Sequence, residues 1–370
     1  MLVHHDARSY ETAAAEAAAH WRPKMEEKIE EGRKSAAALL DHVMTNVPQD
    51  FLPSGHMLEF KPQNKTLQVV AKNMDAIAHP HAIGQIASKA GVHTKYLSDL
   101  IMGEDGSWQP DLAAEILNQT FKNASDLAES RHLCRVVGGK LKGFLSNRFR
   151  RLDDRPLVEA FIESIQKYDA VPIEGSVCET RVALKAALPY LFEPVKNEIM
   201  MVYMQWGNSN FGSAKHSCGL GVWRLWCTNK AMMDDGLSTI HLGRELTDDI
   251  EFSTRTYELD TRTQVSALKD VVTNYLAPNK VNALMAAIRS ASEKEIEWKS
   301  LKTKLDKALL KGEMKMAEDA FYSDDDINLP PVKSMWRASN AISWLAGKTA
   351  DAERKLQLER IAGQLLSGVS

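Results

Sequence analysis

The stretch that most constrains this chain is residues 198–235, where two apolar runs flank a group of turn formers. Residues 199–206 are apolar and of strand length. Gly207-Asn208-Ser209-Asn210-Phe211-Gly212 interrupts them with residues that favour turns. Residues 218–227 then resume with side chains that suit a pleated surface, and Thr228-Asn229 offers a cap for a short helix. A strand, a turn and a strand at the centre predict an α+β fold: a central, mostly antiparallel sheet with packed helices.

The rest of the chain divides around that centre. Residues 9–22 are alanine-rich, with good helix propensity. Pro23 separates them from a second helical pattern over 24–47, and its many charges read as a solvated face of a helical N-terminal arm (residues 1–50), free to pack on a neighbouring subunit. An α+β core over residues 51–262 starts with a hairpin, strands 57–60 and 66–72, turning at Pro62-Gln63-Asn64-Lys65. In residues 82–97, Ala87 and Gly91 fall where a helix-turn-helix needs a small residue and a tight corner. The candidate second helix carries only Lys95 as a basic group, with Asp99 nearby, so two packed helices with a glycine corner are the plainer reading. A helix over 111–122 starts at Pro110. Strands 133–137 and 141–146 surround Gly138-Gly139, a helix follows over 155–168, and one further strand is expected at 180–184. Beyond residue 262 the pattern is helical, over 263–276, 279–290, 293–310, 333–345 and 348–366, giving a helical C-terminal region (263–370). Asp324-Asp325-Asp326 reads as a solvated turn and helix cap rather than a cation site.

Composition narrows the functional classes. At 370 residues with net charge −3, the chain has no overall attraction to polyanions, so any such attraction must be local. Cys134, Cys178, Cys218 and Cys227 are widely spaced and are expected to be free, mostly buried thiols of a reduced compartment. No apolar run approaches the roughly 20 residues of a membrane helix, and the first residues lack the apolar core of a signal peptide, so a cytoplasmic location is expected. P-loop, dinucleotide and zincin motifs are absent, as is a nucleophile elbow. A thiol nucleophile would need Cys218 or Cys227 beside His216 or His241. A zinc site from the same four residues lacks the usual close ligand pairs. No cofactor is expected.

Charge is concentrated in one place. Between Arg131 and Arg155 stand Arg131, Arg135, Lys140, Lys142, Arg148, Arg150, Arg151 and Arg155, opposed by Asp153 and Asp154: eight against two, or +6 in a chain of −3. Phe149 lies among the arginines, and Trp206, Phe211, Trp223 and Trp226 are candidates for base stacking. A basic groove with aromatic platforms is how sequence-tolerant single-strand binders work. Lys140, Lys142, Arg148, Phe149, Arg150 and Arg151 are therefore the candidate nucleic-acid contacts, with the basic residues expected on an exposed surface. The competing reading pairs Arg148 and Arg150 with Asp153, Asp154 or Glu159 and places the aromatics in the core.

Three segments together resemble a known family. Residues 143–154, with Leu145-Ser146-Asn147-Arg148-Phe149-Arg150-Arg151-Leu152-Asp153-Asp154, are similar to its leucine-serine-aspartate-arginine-tyrosine-arginine motif. Asn208-Ser209-Asn210-Phe211-Gly212, then Arg224 and Cys227-Thr228-Asn229, resemble its asparagine-serine-x-x-glycine, arginine and cysteine-threonine-asparagine series. Trp336-Arg337-Ala338-Ser339-Asn340-Ala341-Ile342-Ser343 is similar to its C-terminal segment. The family is the phage- and plasmid-associated one catalogued as domain of unknown function 932, and the resemblance spans residues 50–365. Lys230 departs from the glycine usual after the asparagine. The resemblance implies a mobile-element protein, without established catalytic residues. Joined to the charge pattern, it leads to an expected non-enzymatic role in binding single-stranded nucleic acid, such as annealing or recombination accessory. A phage structural or interaction factor acting through helical arms, with homo-oligomer formation, is the alternative; an enzyme of another type is the third. Asn208, Ser209, Gly212, Arg224, Thr228 and Asn229 are expected to gather at one end of the central strand pair. Arg224 should share a face with Val222 and Trp226, where a guanidinium needs a partner.

Overall fold

The computed structural model describes residues 10–104, 106–225, 230–235, 253–323 and 328–367. The fold is α+β, and its strands divide between two sheets where the sequence pointed to one. β1 (Gln49–Phe51), β2 (Glu59–Gln63), β3 (Thr66–Ala71), β4 (Met74–Ala78), β5 (His132–Val137) and β6 (Lys140–Ser146) form a six-stranded sheet in the order β1-β5-β6-β4-β3-β2. Only β4 and β6 run parallel. The β2–β3 hairpin turns on Asn64 and Lys65, both at positive φ, as a two-residue primed turn demands.

Helices α2 (Pro80–Ala90), α3 (Thr94–Ile101) and α4 (Gln109–Asn123) share a core with this sheet, while α5 (Ser125–Glu129) links α4 to β5. Phe121 of α4 meets both Phe60 and Phe144 of the sheet, with ring centroids 5.2 and 5.7 Å away. Gly91 ends α2 in the left-handed conformation, and Val92 N–H closes the corner on the Ala87 carbonyl at 2.9 Å. Ile86, Ala87 and Leu97 are buried in the shared core, so the α2–α3 pair covers a sheet.

The second sheet is antiparallel, in the order β11-β10-β9-β8-β7, from β7 (Val171–Val177), β8 (Val182–Ala187), β9 (Met200–Asn208), β10 (Ser217–Arg224) and β11 (Lys230–Asp235). β9 shows why residues 199–206 are apolar throughout. Met200, Val202, Met204 and Trp206 enter one core, while Met201 and Tyr203 enter another on the opposite face. A strand covered on both sides has no solvated face to supply alternation. α6 (Asp154–Gln166) packs on the first of these faces, with Phe161 stacked on Trp206 at 6.4 Å. The chain enters strand β11 after residue 229, where a helix cap was expected.

α1 (Ala15–Thr45) is continuous through Pro23, where two helices were expected. It lies along β7 and is no free arm. Gly175 N–H of β7 donates to Ser35 Oγ at 2.9 Å. The approach needs two glycines: a Cβ at Gly32 would stand 2.3 Å from the Ile173 carbonyl, and one at Gly175 2.3 Å from the Ser35 carbonyl oxygen. The helix thus covers a strand edge that would otherwise template further pairing.

The C-terminal helices are α7 (Thr254–Leu276), α8 (Pro278–Glu293), α9 (Lys302–Leu305), α10 (Lys311–Tyr322), α11 (Met335–Lys348) and α12 (Ala352–Ser367). The single helix expected over 293–310 is instead a short 3₁₀ turn at Trp298–Ser300 followed by α9. α11 is buried along most of its length. α12 is fastened by Glu359, which accepts from the fully buried Lys185 of β8 at 2.7 Å. No helix among the described residues is long and apolar enough to cross a membrane.

Candidate nucleic-acid interface

The basic cluster is mostly internal. Arg135 is buried and donates to Asp50 Oδ1 at 2.8 Å, Asp153 Oδ1 at 2.6 Å and the Asn210 carbonyl at 2.9 Å. Burial works against its charge, but the two carboxylates outweigh burial and raise its pKa. Lys142 is buried, donates to the Glu179 carbonyl at 2.9 Å and lies 3.4 Å from the Glu179 carboxylate. Arg150 is buried and grips both carboxylate oxygens of Asp260 in α7. The expected exposed basic surface therefore fails at Lys142 and Arg150. Arg148 is half-buried with partners of its own, and Lys140 is exposed but lines a separate groove beside Lys65, Ile77 and Met102. The candidate stacking residues Trp206, Phe211 and Trp223 are buried; Trp226 lies outside the described residues.

Two residues of the basic segment, Arg131 and Arg151, meet Arg262 at one cleft of about 570 Å³. Arg131 reaches it from the start of β5, Arg151 from the loop before α6, and Arg262 from α7. Arg131 and Arg262 are exposed. The Arg151 guanidinium lies 4.7 Å from the centre of the Tyr257 ring and 3.5 Å from Asp50. Asn147, Thr254 and Thr261 add neutral hydrogen-bonding groups, while Asp153 and Glu258 oppose the three arginines. Of the expected contacts, only Arg151 lines this cleft. Tyr257 and Arg262 were missed because they lie more than a hundred residues from the basic segment, in a stretch with no charge bias of its own.

Phe149 falls on the other side of the same loop. It lines a depression of about 600 Å³ with Gly84, Ser88, Lys89, Leu145 and Ser146. Its ring rests on the turn 208–213: a Cβ at Gly212, which sits at φ +76°, would lie 3.4 Å from the Phe149 ring.

That turn joins the two sheets. Asn208 donates to the Leu152 carbonyl and Asp154 Oδ1, each at 2.8 Å, and Asn210 donates to Asp154 Oδ2 at 2.7 Å. Burial pushes the Asp154 carboxyl up to about 6, against the pull of these amides. His81 Nε2 and Gln85 Nε2 of α2 both reach the Phe211 carbonyl, at 3.0 and 2.9 Å. The turn's own backbone is organised by Ser209, whose Oγ accepts from Phe211 and Ser213 N–H at 3.1 Å each.

Arg224 is elsewhere. The β9–β10 pairing runs from Gly207↔Ser217 to Met200↔Arg224, so Arg224 lies about 23 Å along the strand from the turn. The expected gathering at one strand end does not occur. Arg224 is buried, as expected of the face it shares with Val222, and its partner is Glu198: Nε to Oε2 at 2.7 Å, Nη2 to Oε1 at 2.8 Å. Trp336 and Asn340 of α11 join this pair at 3.3 and 3.4 Å. Thr228 and Asn229 lie outside the described residues, as do Cys227, His241 and the acidic triplet. Cys134, Cys178 and Cys218 are not in disulfides; Cys178 is half-buried and the other two buried. His216 is buried, and burial together with Arg150 lowers its pKa to about 4.

The three segments that carry the family resemblance thus meet in pairs, the first with the 208–212 turn and the third with Arg224. No family model, curated protein or solved structure matches the chain.

Proposed function

We propose that this chain binds single-stranded nucleic acid, without catalysing a reaction, along the cleft of Arg131, Arg151, Arg262 and Tyr257. The observation that carries the reading is the convergence of three guanidinium groups from separate elements on one open cleft beside an aromatic ring. Guanidinium groups meet phosphate oxygens in a forked geometry, and planar groups stack bases without regard to sequence. Two carboxylates in the same cleft keep the net attraction modest, which suits a reversible role such as annealing. The mobile-element setting and a recombination-accessory role enter from the family resemblance and belong to the same proposal.

Anisotropy of a labelled oligothymidine, titrated at several salt concentrations, tests it. Arg131→Ala and Arg262→Ala should each weaken binding and flatten the salt slope by about 0.7, the contribution of one phosphate contact on a single strand. A wild-type chain that fails to bind at low salt, or variants with unchanged affinity and slope, overturns the proposal.

A further inference from the structure

We infer that the bound strand crosses the 147–151 loop into a second subsite beside α2, where Phe149 stacks the neighbouring base and Lys89 meets the phosphate. This rests on the cleft reading and extends it. The two depressions share one wall: Ser146 and Phe149 face one, Asn147 and Arg151 the other. A ligand that fills the cleft and continues along the surface meets this second depression next, since the residues facing the two sides are sequence neighbours.

The second depression is built for a stacked group with one anion. Its floor is preorganised. The amide and imidazole nitrogens of Gln85 and His81 are occupied by the Phe211 carbonyl, and Gln85 Oε1 accepts from Phe144 N–H at 2.7 Å. Those polar groups are already satisfied and need no ligand. Phe149 is half-exposed, while Ser88 and Lys89 are exposed on α2. The Phe149 ring is backed by Gly212, whose lack of a side chain allows the close seat. A fixed aromatic face therefore lies beside an exposed ammonium group, in a volume of about 600 Å³, within the range of small-ligand sites.

Two linked subsites make affinity depend on length, because the second contact becomes intramolecular once the first has formed. Oligothymidines of increasing length, read by anisotropy, supply the test. Affinity should climb steeply up to the length that spans both depressions and level off beyond it. Phe149→Leu keeps apolar packing against Gly212 and removes the aromatic face. It should weaken the long oligomer by about tenfold, the scale of one lost stack, and leave the shortest binding oligomer unchanged. Lys89→Ala should flatten the salt slope of the long oligomer by about 0.7 and spare the short one. If Arg262→Ala weakens every length while Phe149→Leu and Lys89→Ala weaken none, the second subsite is wrong and the cleft stands. If Arg262→Ala is silent as well, both readings fall.

Discussion

Arg224→Met removes one partner of a buried ion pair, and the structure fixes what is left behind. Glu198 would keep its burial, lose two charge-assisted bonds at 2.7 and 2.8 Å, and retain, among the described residues, the Trp336 indole at 3.3 Å. Stranding a buried charge in this way destabilises by about 3–5 kcal/mol, a large share of a typical folding free energy of roughly 5–15 kcal/mol. Thermal melts should therefore drop by roughly 4–6 °C. Adding Glu198→Gln removes the stranded charge while keeping an acceptor for Trp336, so the double variant should recover most of the loss. Urea denaturation of the wild type, both single variants and the double variant measures the coupling directly. Nucleic-acid affinity of the folded Arg224→Met fraction should match wild type, because neither Arg224 nor Glu198 lines the arginine cleft. A loss below about 1 kcal/mol, or a double variant no more stable than Arg224→Met, would refute this account of the pair.

Two further outcomes follow from burial. Asp154 has its folded pKa raised from 3.8 to about 6, so its contribution favours the fold fully below the unfolded value and is lost as pH rises through about 6. Asp154→Asn removes that dependence; the stability of the variant minus that of wild type should rise by about 3 kcal/mol from pH 3.5 to pH 7, and a difference that does not vary with pH contradicts the assignment. Peptide-level alkylation of the native protein should label Cys178 well before Cys134 and Cys218; burial pushes the Cys134 thiol up and both slow residues are buried, so early labelling of either would contradict their placement.

Local pattern made the elements of the centre legible and left their partners hidden. β5, β6, β9 and β10 could be read because their apolar runs are bounded by Gly138-Gly139 and by the 207–212 turn. β7 escaped notice because Pro172 and Gly175 break its strand character, and only tertiary context explains them: Pro172 is tolerated on an edge strand beside a bulge, and Gly175 admits α1. The same limit applied to the basic segment. Its eight cations were plain in the sequence, but the acids that hold Arg150 and Lys142 are Asp260 and Glu179, distant in the chain, and Arg135 takes the distant Asp50 besides the nearby Asp153. Charge patterning counts neighbours in sequence, whereas burial is decided by neighbours in space. Which arginines line the cleft could be identified only from the fold.

The seating of α1 on β7 also bears on synthesis. Ser35 and Gly175 are 140 residues apart, so α1 leaves the ribosome long before its docking strand. At about 5–20 residues per second, the interval is roughly 7–28 s. Throughout it, the stripe of Met25, Ala36, Leu39 and Val43 is without its native cover. Nascent chains arrested short of β7 should therefore hold α1 accessible to chaperones and proteases, and the helix becomes protected only when the edge strand has been made.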